Sequence, residues 1–206
     1  MTVDGQRYWR CGTCEATFLD PSQRPGLAEE RAHYLTHENA VDDPGYRGFL
    51  AKLATPLLER LSPNANGLDF GCGPGPALAA MLREAGHKMA LYDPAFAPDE
   101  AVLAEQFDFI TCTEVLEHLH EPARVFDRLA TMLRPGGWLG LMTSFQTDDA
   151  RFATWSYRRE PTHVVFYRQA TLARIAETRG WRAEFPVKDV ALMRMPADQD
   201  ADSSAL

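Results

Sequence analysis

No stretch of the sequence is apolar for long enough to cross a bilayer as a helix, and no basic segment followed by an apolar run opens it. The expectation is a soluble, cytoplasmic protein with no membrane partner. Positive charge is also short: 21 Lys and Arg stand against 29 Asp and Glu, for a formal net charge of −8. Such a balance argues against binding along a nucleic-acid backbone, where basic side chains supply the affinity. Cysteine is sparse, four in 206 residues, and without a secretory leader that argues against a disulfide framework. No internal repeat is found.

What is present is 45% apolar content, enough for one full-sized core with a small appendage. Charge is uneven along the chain. Residues 151–182 hold seven arginines against two glutamates. A basic segment with aromatics in an acidic chain suits a small anionic ligand, and it equally suits a solvated surface. Cys72 and Cys112 sit singly in Gly-rich or apolar surroundings and read as packing residues, whereas Cys11 and Cys14 form a C-x-x-C pair that reads as a metal or redox motif.

Three regions are expected. Residues 1–45 are irregular, with two short strands around a knuckle in YWRCGTCEATFLDP, a short helix in LAEERAHYLTHEN, and a linker at DDPGY. Cys11, Cys14, His33 and His37 form C-x2-C-x18-H-x3-H, a donor set that suits a closed structural zinc site; the alternatives are a metal-free hairpin with solvated His and a site using only three of these groups. Residues 46–196 form the main domain. Its first helix carries Phe49, Leu50, Leu53, Leu57, Leu58 and Leu61 at helical spacing, and Pro56 is expected to kink or divide it. Strands and helices then alternate from Asn66, and two closing strands are joined by a few residues. The pattern predicts an α/β fold: a mostly parallel sheet with helices on both faces and an antiparallel hairpin at the C-terminal end. Residues 197–206 carry no core-forming pattern and are expected to be a disordered tail.

GLDFGCGPG places Gly71, Gly73 and Gly75 directly between a predicted strand and a predicted helix, and Asp93 ends the next strand. Ligands of open α/β sheets bind beyond the carboxyl ends of the strands, where glycines let a ligand approach the backbone and an acid can accept from ribose hydroxyls. The alternative for Asp93 is a turn-former before Pro94.

LDFGCGPG at 68–75, LYDP at 91–94, FDFITCTEVLEHLHEP at 107–122 and LRPGGWLGLMTS at 133–144 together resemble the class I S-adenosylmethionine-dependent methyltransferases, in the order of that family. The resemblance implies a Rossmann-like sheet. It also implies a cofactor site in which Asp69, Gly71, Cys72, Gly73 and Gly75 line the methionine and ribose end, Asp93 takes the ribose hydroxyls, and Thr113 and Glu114 face the sulfonium. Only residues 94–106 separate the ribose acid from the next strand, so the family's third strand is expected to be very short or missing, with Asp99 as a stand-in for its adenine-side acid. A nicotinamide dehydrogenase fits less well, because its turn is G-x-G-x-x-G and this one is G-x-G-x-G. The segment after LMTS commonly builds the acceptor pocket in this superfamily. Trp155, Tyr157, Phe166 and Tyr167 are expected to wall a small-molecule acceptor, or to be ordinary core, and Arg158 or Arg159 to hold an anionic group.

Methyl transfer is an in-line displacement and needs a base only when the acceptor carries a proton. His118 and His163 are the candidate bases, with Glu114 beside them. On a helix, Glu114, Glu117 and His118 would share one face at i, i+3 and i+4, with Val115, Leu116 and Leu119 on the other. Two carboxylates and an imidazole are a candidate set for a divalent ion such as magnesium or manganese. The E-x-x-E-H string resembles the metal-binding segment of two methyltransferase groups: those acting on the terminal ribose of small RNAs and those acting on catechol-like quinone precursors. The RNA group has a further His before the last helix, and the resemblance implies His163 as that ligand. The functional expectation is a methyltransferase acting on a small anionic or hydroxyl-bearing molecule. An RNA terminal-ribose methyltransferase and a catalytically silent cofactor-binding partner protein are the alternatives.

Overall fold

The computed structural model describes residues 1–35 and 40–197. The chain begins with strands β1 (Thr2–Val3), β2 (Gln6–Arg10) and β3 (Thr17–Leu19), then helices α1 (Leu27–Tyr34) and α2 (Pro44–Leu58). An alternation follows: β4 (Asn66–Phe70), α3 (Ala77–Glu84), β5 (Lys88–Tyr92), β6 (Phe107–Thr113), α4 (Pro122–Met132) and β7 (Leu133–Met142). The last third holds the short α5 (Asp149–Phe152), β8 (Val165–Phe166), α6 (Gln169–Thr178), β9 (Arg182–Glu184) and β10 (Val190–Arg194).

The main sheet has the order β5-β4-β6-β7-β10-β9. The first four strands are parallel, and β10 runs antiparallel to both β7 and β9. This is the mostly parallel sheet with an antiparallel end that the strand–helix pattern predicts. The expected shortening is also there: between β5 and β6 lies only a 3-10 turn, Glu100–Ala104, so β5 is the sheet's edge.

Sequence periodicity explains the two cores. Along β10, Val190 and Leu192 face the cluster under α2 and α3, whereas Ala191 and Met193 face the cluster under α4 and α6. Leu50, Leu53, Ala54 and Leu57 bury one stripe of α2; Phe126, Leu129 and Met132 do the same on α4. Helices therefore cover both faces, and the loops at the carboxyl ends of β4, β5, β6 and β7 meet at one edge of the sandwich.

Several expectations are corrected. The DDPGY stretch is a helix start: the Asp43 carboxylate accepts from Tyr46 N at 2.6 Å and Pro44 opens α2. Asp as N-cap followed by Pro at N1 is a start signal, since proline lacks only a hydrogen that the first turn cannot use. Pro56 does not divide α2; it falls in the helix's final turn. Residues 1–20 are no separate appendage. Strands β1, β2 and β3 form a second, antiparallel sheet with β8, in which Phe18 pairs with Val165 and Thr17 with Phe166. Tyr8 and Leu19 are buried in the same cluster as the main sheet's Ile110 and Leu141.

Residues 198–206, nearly the whole predicted tail, lie outside the described residues. No described helix is long and apolar enough to cross a membrane.

Candidate active site

The turn after β4 is tied to the end of β5. Gly71 N donates to Tyr92 O at 2.7 Å, and Gly73 N donates to Asp93 Oδ2 at 3.0 Å. Gly71 and Gly73 both have positive φ, +77° and +63°, and their surroundings differ. A Cβ on Gly71 would meet Val115 Cγ2 at 2.4 Å, so this glycine lets the EVLEH segment pack against the turn. A Cβ on Gly73 would meet nothing within 4 Å. Open space beside a left-handed glycine, bordered by an acid, suits a ligand lying along the backbone. Asp93 Oδ1 also accepts from Ala95 N (2.8 Å) and Phe96 N (3.1 Å), so the carboxylate is held in place with lone pairs to spare.

Asp69, at the carboxyl end of β4, is buried and accepts from Thr111 Oγ1 at 2.7 Å. Burial pushes its carboxyl up to about 6. Burial likewise pushes the Cys72 thiol up to about 12, which keeps it neutral. Thr113 is the last residue of β6.

The stretch from Glu114 is not the helix its spacing predicts. Glu114 has φ +51° and donates its N–H to Met142 O at 2.8 Å; only Leu116–His118 make a 3-10 turn, and α4 starts at Pro122. A left-handed residue at the strand's end prevents a helix from starting there. Glu117 is consequently not on a solvated face: its residue exposure is 0%.

Glu117 Oε2 accepts from Thr143 Oγ1 at 2.9 Å, while Oε1 has no hydrogen-bond partner. Two imidazoles face that oxygen: His118 Nε2 at 3.9 Å and His163 Nε2 at 4.0 Å. These distances are too long for hydrogen bonds. Each ring is fixed from behind, with His118 Nδ1 at 3.1 Å from Thr162 O and His163 Nδ1 at 2.7 Å from Tyr157 O. A carbonyl only accepts, so each Nδ1 carries the hydrogen, and in the neutral ring Nε2 carries the lone pair. Glu117, His118 and His163 each offer one ligand atom within 4.8 Å of the others, and they are the one such group of three among the described residues.

Glu114 lies outside that group. Its Oε2 is 3.3 Å from the Tyr157 hydroxyl, which is 3.0 Å from Thr143 Oγ1. Thr143 Oγ1 donates to Glu117 Oε2 and the Tyr157 hydroxyl donates to Glu114 Oε2, so the two hydroxyls, which meet each other, link the two carboxylates. The Glu114 carboxyl is pushed up to about 8, by burial first and then by the Glu117 charge. Burial, with both carboxylates near, holds the Tyr157 phenol well above its usual range.

A family model described as Methyltransferase domain matches residues 45–184. The chain belongs to this methyltransferase family. Ubiquinone biosynthesis O-methyltransferase of Xylella fastidiosa is 34% identical over 157 residues, which cover 62% of this chain and 63% of the relative. The protein of the same description from Thiobacillus denitrificans is 32% identical over 149 residues, 57% of this chain and 64% of the relative. The match thus spans less than two thirds of either relative. Among solved structures, the 1,6-didemethyltoxoflavin-N1-methyltransferase of Burkholderia thailandensis aligns with TM-score 0.58 at 16% identity, covering 93% of this chain and 99% of that one. The magnesium protoporphyrin IX methyltransferase of Synechocystis aligns with TM-score 0.54 at 16% identity over 82% of this chain and 94% of that one. Both describe the fold.

The remaining predicted site residues are dispersed. Trp155 stacks on Tyr157, with centroids 5.2 Å apart, and also packs against the buried Phe166. Tyr167 walls no open pocket: it is 1% exposed and donates to Leu116 O at 3.1 Å. Arg158 holds no ligand; its guanidinium is buried and donates to Asp4 Oδ2 (2.5 Å), Gln6 Oε1 (3.3 Å), Tyr8 Oη (3.3 Å) and Ala153 O (3.0 Å). Arg159 is exposed. Asp99 caps its own turn by accepting from Ala101 N at 3.0 Å.

Among the described residues, Cys11, Cys14 and His33 are not gathered into a ligand group. Helix α1 packs on the histidine side of the molecule, with Glu30 2.8 Å from His120 Nε2 and His33 Nε2 2.6 Å from Glu160. Cys11 and Cys14 sit instead in the β2–β3 turn, closed by Cys11 N donating to Ala16 O at 2.9 Å. His37 lies outside the described residues. A groove of about 580 Å³ runs past Cys14 to Arg174 and Trp181, and none of the site residues above other than Cys14 lines it.

Thr143 is the functional residue that sequence reasoning missed. It sits one residue beyond β7, whose Met142 pairs with Thr113, and so arrives beside the end of β6. Its signal was the quoted LMTS string.

Proposed function

We propose that this protein is an S-adenosylmethionine-dependent methyltransferase that methylates a hydroxyl of a small molecule, of phenol or catechol type. The observation that carries this reading is the buried Glu117 carboxylate, with one oxygen unpartnered and two Nε2 atoms turned to it, at the sheet edge where the glycine turn ends. The curated relatives support it through the oxygen acceptor in their description. The commitment of Arg158 to Asp4 leaves Arg159 alone for an acidic group, which favours a neutral hydroxyl over an anionic acceptor.

The cofactor, when bound, supplies a methyl group on a positively charged sulfur. Asp93 and the open backbone face at Gly73 bind and orient it, and the Asp69 carboxylate lends negative charge on that side. The acceptor hydroxyl must lose its proton as it attacks the methyl carbon, and His118 and His163 present lone pairs suited to take it.

The same three residues fit a divalent ion. An orphaned buried carboxylate oxygen and two imidazoles fixed by backbone carbonyls are the donor set and outer support that ligands require. Glu117, His118 and His163 would hold it, without Glu114. Two nitrogens and one oxygen suit manganese or another transition ion better than magnesium. Such an ion lowers the pKa of a bound hydroxyl.

The test is a panel of catechol, monophenol, aliphatic alcohol and a small RNA 3′ end, incubated with labelled cofactor. Methylation of the catechol or phenol is expected. Labelling of the RNA alone, or cofactor binding with no product, would overturn the acceptor assignment. With an acceptor in hand, chelator should suppress turnover and manganese restore it. Glu117→Gln and His163→Ala should each lose at least tenfold in kcat while keeping cofactor affinity.

A further inference from the structure

Glu117 has its backbone fixed on both sides. Its carbonyl accepts from Val164 N at 2.8 Å, and the preceding carbonyl of Leu116 accepts from the Tyr167 hydroxyl at 3.1 Å. What remains to be set is the direction of its carboxylate. Thr143 Oγ1 donates to its Oε2 at 2.9 Å, and Oε1 has no hydrogen-bond partner. Thr143 is in turn 1% exposed, and its hydroxyl meets Tyr157 Oη at 3.0 Å. Tyr157 also lies against the His163 ring, with centroids 4.1 Å apart, and its carbonyl accepts from that ring's Nδ1. One residue thus reaches both the carboxylate and an imidazole.

We propose that Thr143 and Tyr157 are positioning residues: their hydroxyls hold the Glu117 carboxylate by Oε2 and thereby aim Oε1 at His118 and His163. This rests on the reading of those three side chains as the working cluster. Thr143 is the direct tether. The Tyr157 hydroxyl, 3.0 Å from Thr143 Oγ1, holds the Thr143 hydroxyl in place beside Glu117. A carboxylate without the tether would rotate, and the three ligand atoms would no longer converge.

Thr143→Val keeps the side-chain shape and removes the hydroxyl; Thr143→Ser returns it. Tyr157→Phe keeps the ring against His163 and removes the second hydroxyl, and serves if the valine variant does not fold. Two measurements on the full chain read the effect. The first is the affinity for Co²⁺, followed by its visible absorption, where Thr143→Val is expected to bind at least tenfold more weakly and Thr143→Ser within about threefold of the parent. The second is the imidazole ¹⁵N spectrum of the metal-free protein at one fixed pH. Thr143→Val should move the His118 and His163 signals and Thr143→Ser should restore them. Valine matching the parent in both measurements would overturn the proposal, as would serine and valine perturbing them equally. If the parent takes up no Co²⁺, the ion reading falls, and the imidazole signals alone decide the positioning role.

Discussion

Glu114 is buried beside the Glu117 charge, and this has a consequence for stability. Its carboxyl is raised from an ordinary value of 4.5 to about 8, with burial the largest cause. A raised acid keeps its proton in the folded chain while the unfolded chain has lost it. Between about 4.5 and about 8 the folded state therefore binds more protons, and stability falls as pH rises through that window. Asp69, raised from 3.8 to about 6, adds a fall of the same sign lower down. The expectation is that the melting temperature of the ligand-free protein decreases from about pH 5 to about pH 8, and that Glu114→Gln makes the upper part of this decrease shallower. A Glu114→Gln variant with an unchanged slope would remove Glu114 as the proton carrier. The identities of Glu114, Glu117, His118 and His163 were all legible in the sequence, because acids and imidazoles at such spacing stand out. Their arrangement was not, because nothing in TEVLEH announces a left-handed residue at Glu114.

At the scale of elements, period-2 and period-3.6 patterns gave the strands and helices of the main sheet, and the missing strand after β5 followed from the shortness of residues 94–106. The patterns failed where an element is too short to have a period. Strand β8 is two residues, Val165–Phe166, and only its long-range partner β3 makes it a strand. They also failed where one dipeptide has two meanings, as Asp43-Pro44 shows by opening a helix in a stretch that reads as a linker. The glycine turn is the element whose reading can be tested most directly. At Gly73 a side chain has room, so Gly73→Val bears the strain of φ +63° but no clash within the chain. Its main effect should fall on whatever occupies that space. Saturating S-adenosylhomocysteine, at about 100 times its Kd, should stabilise the parent by about 2.7 kcal/mol. Gly73→Val should remain folded and show little of that gain. Equal stabilisation of both proteins would take the cofactor out of the turn.

For the whole molecule, the question is whether residues 1–20 are a passenger or part of the working fold. Tyr8 is 1% exposed and meets Phe152 edge-on at 5.0 Å and Phe166 at 6.0 Å. Asp4, Gln6 and Tyr8 together satisfy the buried Arg158 guanidinium, one residue from Tyr157. The contacts that keep this segment in place are thus the same ones that hold residues 152–166, which bring Tyr157 and His163 to Glu117. A passenger could be removed with the sheet and the cluster intact. Here, removal of residues 1–20 exposes the Val165–Phe166 edge and leaves Arg158 without its carboxylate, an uncompensated charge in an apolar setting. The truncated chain is expected to melt at least ten degrees lower or to precipitate. The milder Tyr8→Ala should lose roughly 3–5 kcal/mol, the usual effect of deleting a buried aromatic. In Tyr8→Ala the histidine signals of His118 and His163 should broaden or shift although neither residue touches the mutation. If the truncated protein melted like the parent and kept those signals, the N-terminal strands would be an independent appendage, as their irregular sequence first predicted.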